Sequence, residues 1–178
     1  MKITLVRPPD VSLGVFKKVG GVQHPINLLY LAAYISEHAE VEILDLEVET
    51  LRHDYLKERN PDIVGITAMT PNMPFAAGFS KIAKEQGATV ILGGAHPTVM
   101  PEETLRETSA DVVVRGEGEL TLKNVVEALA SKKNLAGIKG ISYKDGKNIL
   151  HNEQRSYIED LDALPIPDRT MLKLELYR

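Results

Sequence analysis

The chain has 178 residues with no cysteine and no tryptophan. That length supports one domain with a real core, and the lack of thiols removes disulfides, thiolate metal sites, iron–sulfur ligation and cysteine nucleophiles. A formal net charge of −4, with 43% hydrophobic and 26% charged residues, is an ordinary globular balance and argues against a nucleic-acid surface, which needs a basic face to neutralise phosphates. No apolar run reaches the ~18 residues of a membrane span. The N-terminus, MKITLVRPP, reads as a first strand rather than a signal peptide, so a cytoplasmic location is expected.

Ile3–Arg7 is a short apolar strand stopped by Pro8–Pro9, and a long loop with Gly14, Gly20, Gly21 and Pro25 follows. Residues 26–38 are predicted helical and apolar almost all round, hence heavily buried. Residues 41–47 form a second strand, and residues 49–59 a polar helix ended by Asn60–Pro61. Residues 62–69 form a third strand, apolar on both faces. Pro71, Asn72 and Pro74 lead into a helix to about Gln86, where Gly87 serves as the C′ glycine. The fourth strand, ATVILGG, runs straight into Gly93–Gly94. Pro101 with Glu102 and Glu103 opens a short helix with proline and acids in its first turn. DVVVRGEGE contains the fifth strand, and residues 118–131 form a helix with Leu122, Val125, Val126 and Leu129 on one face.

Strands that read as continuous apolar runs are covered on both faces. Their alternation with helices makes the sheet parallel, with right-handed crossovers. The expected fold class is therefore α/β: a flavodoxin-like (Rossmann-type) open five-stranded parallel sheet over residues 1–135, with helices on both faces and strand order 2-1-3-4-5. Residues 136–155 read as a small C-terminal β-hairpin with an Asp145–Gly146 turn. Residues 156–178, acidic and proline-rich, read as a strap or linker.

In open parallel sheets, ligands sit beyond the carboxyl ends of the strands, at the switch in strand order. Several known uses of such a sheet are absent. The first loop lacks the Gly-x-Gly-x-x-Gly spacing of a dinucleotide site, and no Gly-Lys-Ser/Thr exists for a P-loop. The first loop begins with two prolines rather than a Ser/Thr-rich phosphate cradle, and the third strand does not end in a phosphoacceptor aspartate. What remains is a set of small, backbone-exposing strand ends: Thr67 after the third strand, Gly93–Gly94 after the fourth, and Arg115-Gly116-Glu117-Gly118-Glu119 after the fifth. Glycines would let a flat or elongated ligand touch main chain. The helix N-terminus could receive a phosphate, although Glu117 and Glu119 count against a free anion. His96 is followed at once by Pro97 and reads as a loop histidine bonded to backbone, and His24 reads similarly. Met69, Met73 and Met100 suit either an apolar ligand wall or core filling.

Taken in order, LVRPP, VGITAMT, ILGGAHPT, VVVRGEGE-x-T and LPIPDR resemble the N-terminal cobalamin-binding domain of cobalamin-dependent radical SAM proteins, over nearly the whole chain. The anaerobic Mg-protoporphyrin monomethyl ester cyclase-like, methyltransferase-like and methylthiotransferase-like branches look alike here. Such domains generally carry Asp-x-His-x-x-Gly, Ser-x-Leu and Gly-Gly motifs. Thr67-Ala68-Met69 matches the second and Gly93–Gly94 the third, but Asp10-Val-Ser12-Leu-Gly14 has serine in the histidine's place and its glycine one position early. The resemblance thus implies cobalamin bound with its dimethylbenzimidazole tail tucked into the domain and no histidine on cobalt. It also implies a longer polypeptide, in which a radical SAM barrel beyond residue 178 holds a 4Fe–4S cluster and S-adenosylmethionine for methyl transfer or oxidative cyclisation.

The candidate cofactor-binding residues are Pro8, Pro9, Asp10 and Ser12; Thr67, Met69 and Thr70; Gly93, Gly94, Ala95 and His96; and Arg115, Gly116, Glu117 and Gly118. No catalytic or metal-ligating set is expected within the chain. The expected partners are cobalamin and the barrel, with neither nucleic acid nor membrane. Two other readings stay open: a cofactor-free interaction or regulatory domain, and a flavin or nucleotide binder.

Overall fold

The computed structural model describes residues 1–9 and 22–177. Among them, β1 (Lys2–Arg7), β2 (Glu40–Asp45), β3 (Ile63–Thr67), β4 (Thr89–Gly93), β5 (Val112–Val114), β6 (Ile141–Asp145) and β7 (Asn148–His151) form one sheet of order β2-β1-β3-β4-β5-β6-β7. The helices are α1 (Ile26–Ile35), α2 (Tyr55–Arg59), α3 (Met73–Glu85), α4 (Ala95–Val99), α5 (Pro101–Glu107) and α6 (Glu119–Ala130). The first five strands are parallel and follow the expected 2-1-3-4-5 order.

The hairpin departs from the expected five-stranded sheet. It does not stand apart: β6 pairs antiparallel with β5, Val112 opposite Tyr143 and Val114 opposite Ile141, and β7 makes the edge. The strand β5 has three residues, all buried, and its outer main chain would otherwise be an unpaired edge. Ile141 and Tyr143 also join the core. Asp145 pairs with Asn148, so the hairpin loop is Gly146–Lys147 rather than Asp145–Gly146, and Gly146 takes φ +59°.

Strand alternation sends neighbouring residues to opposite faces. Ile3, Leu5, Ile63, Ile91, Val112 and Val114 pack with Leu28, Leu29, Leu122 and Val126 of α1 and α6. Val6, Val64, Ile66, Val90, Leu92 and Val113 pack with Leu56, Phe79, Ala83 and Leu105 of α2, α3 and α5. This two-sided burial is why the strands read as unbroken apolar runs. Gly87, at φ +89°, ends α3: its N–H bonds the Lys84 carbonyl while the Ala88 N–H bonds the Ala83 carbonyl, a Schellman arrangement.

Three local expectations change. The helix expected over 49–59 is only Tyr55–Arg59. Asp45 diverts the chain before it: its carbonyl accepts from the N–H of Val48 and Glu49, its carboxylate accepts from the N–H of Glu47, and its own N–H donates to Glu49 Oε1. Such local bonds compete with a helix. The first helix stops at Ile35, three residues before its expected end. Residues 95–99, expected as loop, form α4, with Pro97 in a first turn where its missing N–H costs nothing.

The C-terminal segment is a strap packed along the α1–α6 side. The Arg155 guanidinium donates to Thr121 Oγ1 (2.8 Å) and Asn124 Oδ1 (2.7 Å) on α6. Leu172 is buried in the core, and Lys173 pairs with Glu49. At its far end the Tyr177 hydroxyl donates to Asp45 Oδ2 at 2.5 Å, and the His24 ring meets the Tyr177 ring edge-on at 4.6 Å.

Candidate functional site

A cleft of about 230 Å³ opens at the carboxyl ends of β3, β4 and β5, beneath α1 and α6. Its origin lies in two missing side chains. On this face β3 presents Ile63, Gly65 and Thr67, and β4 presents Thr89, Ile91 and Gly93; Gly65 lies beside Ile91, and Thr67 beside Gly93. Gly93 leaves a hollow where an apolar run would otherwise fill the layer, and Gly65 makes room for the Leu5 side chain beside it. A Cβ at Gly65 would lie 2.8 Å from Leu5 Cδ2, so the leucine leans over the glycine to shape the floor. The floor is apolar and buried: Leu5, Leu28, Ile91, Val114 and Leu122. The rim is polar: Asn27, Thr67, Glu117 and Glu119.

Gly93 and Gly94 have different reasons to be glycine. Gly94 adopts φ +101°, and a Cβ there would lie 2.6 Å from the Ala68 carbonyl oxygen and 2.9 Å from its nitrogen. The end of β4 is bonded this closely to the turn after β3: Ala68 N–H donates to the Gly93 carbonyl (2.8 Å), and His96 N–H to the Ala68 carbonyl (3.3 Å). Gly94 is thus required by the fold. At Gly93 a Cβ would have no neighbour nearer than Val114 O, at 3.7 Å. That position has room for a side chain, and the room is the cleft. Gly118 serves packing: a Cβ there would come within 3.0 Å of Leu31 Cδ2, which closes α1 onto the start of α6.

Of the residues singled out from the sequence, Thr67, Gly93, Gly94, Gly116, Glu117 and Gly118 line the cleft. Thr67 Oγ1 accepts from Asn27 Nδ2 at 3.4 Å. Glu117 has one oxygen committed, accepting from the Ile158 N–H of the strap at 2.7 Å. Gly116, at φ +73°, donates its N–H to Thr98 Oγ1 (3.1 Å), joining α4 to the end of β5. The other candidates lie outside the lining. Pro8 is buried and Pro9 half-buried at the end of β1. Met69 and Thr70 are exposed beside the rim. Ala95 opens α4. His96 faces away: its Nδ1 meets Thr70 Oγ1 at 3.1 Å, and its Nε2 lies 3.8 Å from Glu103. Arg115 points toward the hairpin, where Nη2 donates to the carbonyls of Ile141 (3.0 Å) and Asn152 (2.5 Å) while buried Nε has no partner. Burial holds this guanidinium below its ordinary pKa. Asp10 and Ser12 lie outside the described residues.

Gly65, Asn27 and the apolar floor were not foreseen. Gly65 sits inside the run DIVGITAM, where a lone strand glycine does signal a close approach. Asn27 had its own signal as the one polar residue in the first ten of a helix otherwise apolar or aromatic. Among the described residues, no group of three or more His, Asp or Glu could hold a metal ion.

Chemically, the cleft, with an apolar floor, exposed main chain at Gly93 and a polar rim, suits an apolar ligand group. Its volume is below the ~300–1,000 Å³ that buries a whole drug-sized ligand, so it suits part of a larger molecule whose remainder stays over the strand ends. The two rim carboxylates disfavour an anion at the start of α6.

The sheet order and a cleft at the strands' carboxyl ends define a Rossmann-like α/β ligand-binding domain. Residues 13–126 match the model of the B12 binding domain family, and the chain belongs to that family. It is 41% identical to an uncharacterized methyltransferase of Pyrococcus horikoshii, covering 100% of this chain and 40% of that protein. It is 34% identical to the anaerobic magnesium-protoporphyrin IX monomethyl ester cyclase of Rubrivivax gelatinosus, covering 99% of this chain and 34% of the enzyme. Among solved structures, the radical S-adenosylmethionine methyltransferase TsrM of Kitasatospora setae, with cobalamin and a 4Fe–4S cluster bound, shares the fold at a TM-score of 0.72 and 23% identity, over 85% of this chain and 30% of that one. OxsB, a cobalamin-dependent S-adenosylmethionine radical enzyme with aqua-cobalamin and S-adenosylmethionine bound, does so at 0.71 and 23%, over 88% and 22%. The chain therefore spans well under half the length of these proteins.

Proposed function

We propose that this domain binds cobalamin with its nucleotide tail in the cleft and without a protein histidine on cobalt. The observation that carries the reading is the hollow beside Gly93 over an apolar floor, which no side chain of the described residues fills. Membership of the B12 binding domain family supports it. So does the sequence of the first loop, which has serine at position 12 and no histidine from Asp10 to Gly21. His96 and His24 are engaged elsewhere, with Thr70 and Tyr177.

The residues divide the work. Gly93 leaves the hollow, Gly65 seats Leu5 in its floor, and Leu5, Leu28, Ile91 and Leu122 make that floor apolar. Thr67 and Asn27 offer a hydroxyl and an amide at the mouth, and Gly94 and Gly118 hold the surrounding loops in place. Pro8, Pro9, Met69, Thr70, Ala95, His96 and Arg115 stand at the strand ends over which the corrin would lie, while Asp10 and Ser12, proposed from the sequence, lie outside the described residues. When bound, cobalamin supplies a cobalt centre able to accept and pass on a methyl group. Residues 1–135 are the binding unit, residues 136–155 its edge extension, and residues 156–178 the connection toward a radical SAM barrel. In that longer protein, acting in the cytoplasm, the barrel would hold a 4Fe–4S cluster and S-adenosylmethionine for methyl transfer or cyclisation.

Gel filtration of the purified chain with hydroxocobalamin, FMN or ATP at micromolar concentration tests this. Cobalamin alone should co-elute. Co-elution of FMN or ATP instead, or of nothing, contradicts it.

A further inference from the structure

We infer that the cleft discriminates among cobamides by the lower base of the tail, preferring an apolar benzimidazole to a purine; this rests on the binding reading above. The argument is the depth profile of the cleft. Its floor is Leu5, Leu28, Ile91, Val114 and Leu122, each at most 5% exposed. The polar side chains of the lining, Asn27, Thr67, Glu117 and Glu119, sit at the rim; Thr67 Oγ1 accepts from Asn27, and one Glu117 oxygen accepts from the Ile158 N–H. Within the floor the strand backbones are paired on both sides, Gly65 with Leu5 and Ile91, and Ile91 with Gly65 and Val112. A base whose inner edge carries only carbon and hydrogen loses nothing by entering. A purine would carry ring nitrogens or an amino group down to a floor whose described side chains are all aliphatic, and buried polar groups without partners are costly.

The size of the preference follows from what apolar pockets achieve. They reject a ligand bearing an extra polar group by about a hundredfold at most. A purine-based cobamide should therefore bind about 10- to 100-fold more weakly than cobalamin. The side chain best placed to alter the preference is Leu31. It is half-buried, lines the cleft and borders the start of α6 at Gly118.

The test is equilibrium binding of three compounds to the unmodified chain, followed by absorbance: cobalamin, the adenine-based cobamide and cobinamide, which has no base. The inference expects cobalamin to bind tightest, the adenine form at least tenfold weaker and cobinamide also weaker. Equal binding of the two base-bearing forms, with cobinamide weaker, overturns the base preference and leaves the tail placement standing. Equal binding of all three overturns the tail placement as well, and binding of none overturns the proposed function itself. As a second arm, Leu31→Gln should narrow the cobalamin-to-adenine ratio by supplying a wall amide. An unchanged ratio in a variant that melts like the parent overturns the assignment of selectivity to this wall.

Discussion

Gly93 and Gly94 are adjacent in sequence, yet the structure separates their roles. Gly94→Ala would place a Cβ 2.6 Å from the Ala68 oxygen in a backbone conformation that L side chains rarely adopt. It should lower stability by about 1–3 kcal/mol, read as a drop in thermal or urea midpoint. Gly93→Ala meets nothing closer than 3.7 Å and should leave the midpoint within about 0.5 kcal/mol. Gly93→Leu should fold and yet lose cobalamin binding, because its side chain fills the hollow; retained binding would mean that the ligand lies elsewhere. His96→Ala should leave the visible spectrum of the bound cobamide unchanged, since the ring is turned to Thr70 and Glu103. At this scale the sequence showed that glycines cluster at the strand ends. It could not show which were required by packing and which left space, because that depends on the neighbouring strand. Gly65 signalled a close approach, but only the fold reveals that Leu5 makes it and, through the pairing of Thr67 with Gly93, that Gly65 and Gly93 share a face.

Among the elements, strands and helices with strong periodicity, such as α3 and α6, were legible from sequence to within a residue or two. Elements set by competition were not. The turn after β2 follows from Asp45 capturing its own downstream N–H groups, and α4 from a proline accommodated in a first turn. The strap has no periodicity to read, because its contacts are long-range: Tyr177 reaches Asp45, and Ile158 reaches Glu117. Burial and the bond to Asp45 raise the Tyr177 pKa above its ordinary 10.0. A raised pKa means that this contribution to stability is complete below about pH 10 and is lost as pH rises through the folded value. Tyr177→Phe should therefore cost about 1–2 kcal/mol at neutral pH. In denaturant titrations the gap between variant and parent should narrow as pH rises beyond 10 toward the raised folded value. A gap independent of pH would mean that the hydroxyl is not the donor.

For the whole molecule, a parallel sheet was readable because its central strands are apolar runs joined by helical connections, whereas the order 2-1-3-4-5 was expected by analogy with flavodoxin-like sheets and is established by the strand pairings. The sixth and seventh strands were readable as a hairpin, but their docking on β5 was not, since an edge announces itself only once the sheet exists. The fold thus places the apolar hollow on the α1–α6 face of the sheet, while on the opposite face Val64, Ile66, Val90 and Leu92 pack against α2, α3 and α5 among the described residues. That asymmetry gives the account its most direct test. Methyl-resolved NMR of the chain with hydroxocobalamin should shift the signals of Leu5, Leu28, Ile91, Val114 and Leu122. Val90, Leu105 and Val113, buried on the opposite face, should stay in place. Shifts confined to exposed loop methyls, or spread equally over both faces, would contradict insertion of a cobalamin tail between β3, β4 and the α1–α6 layer.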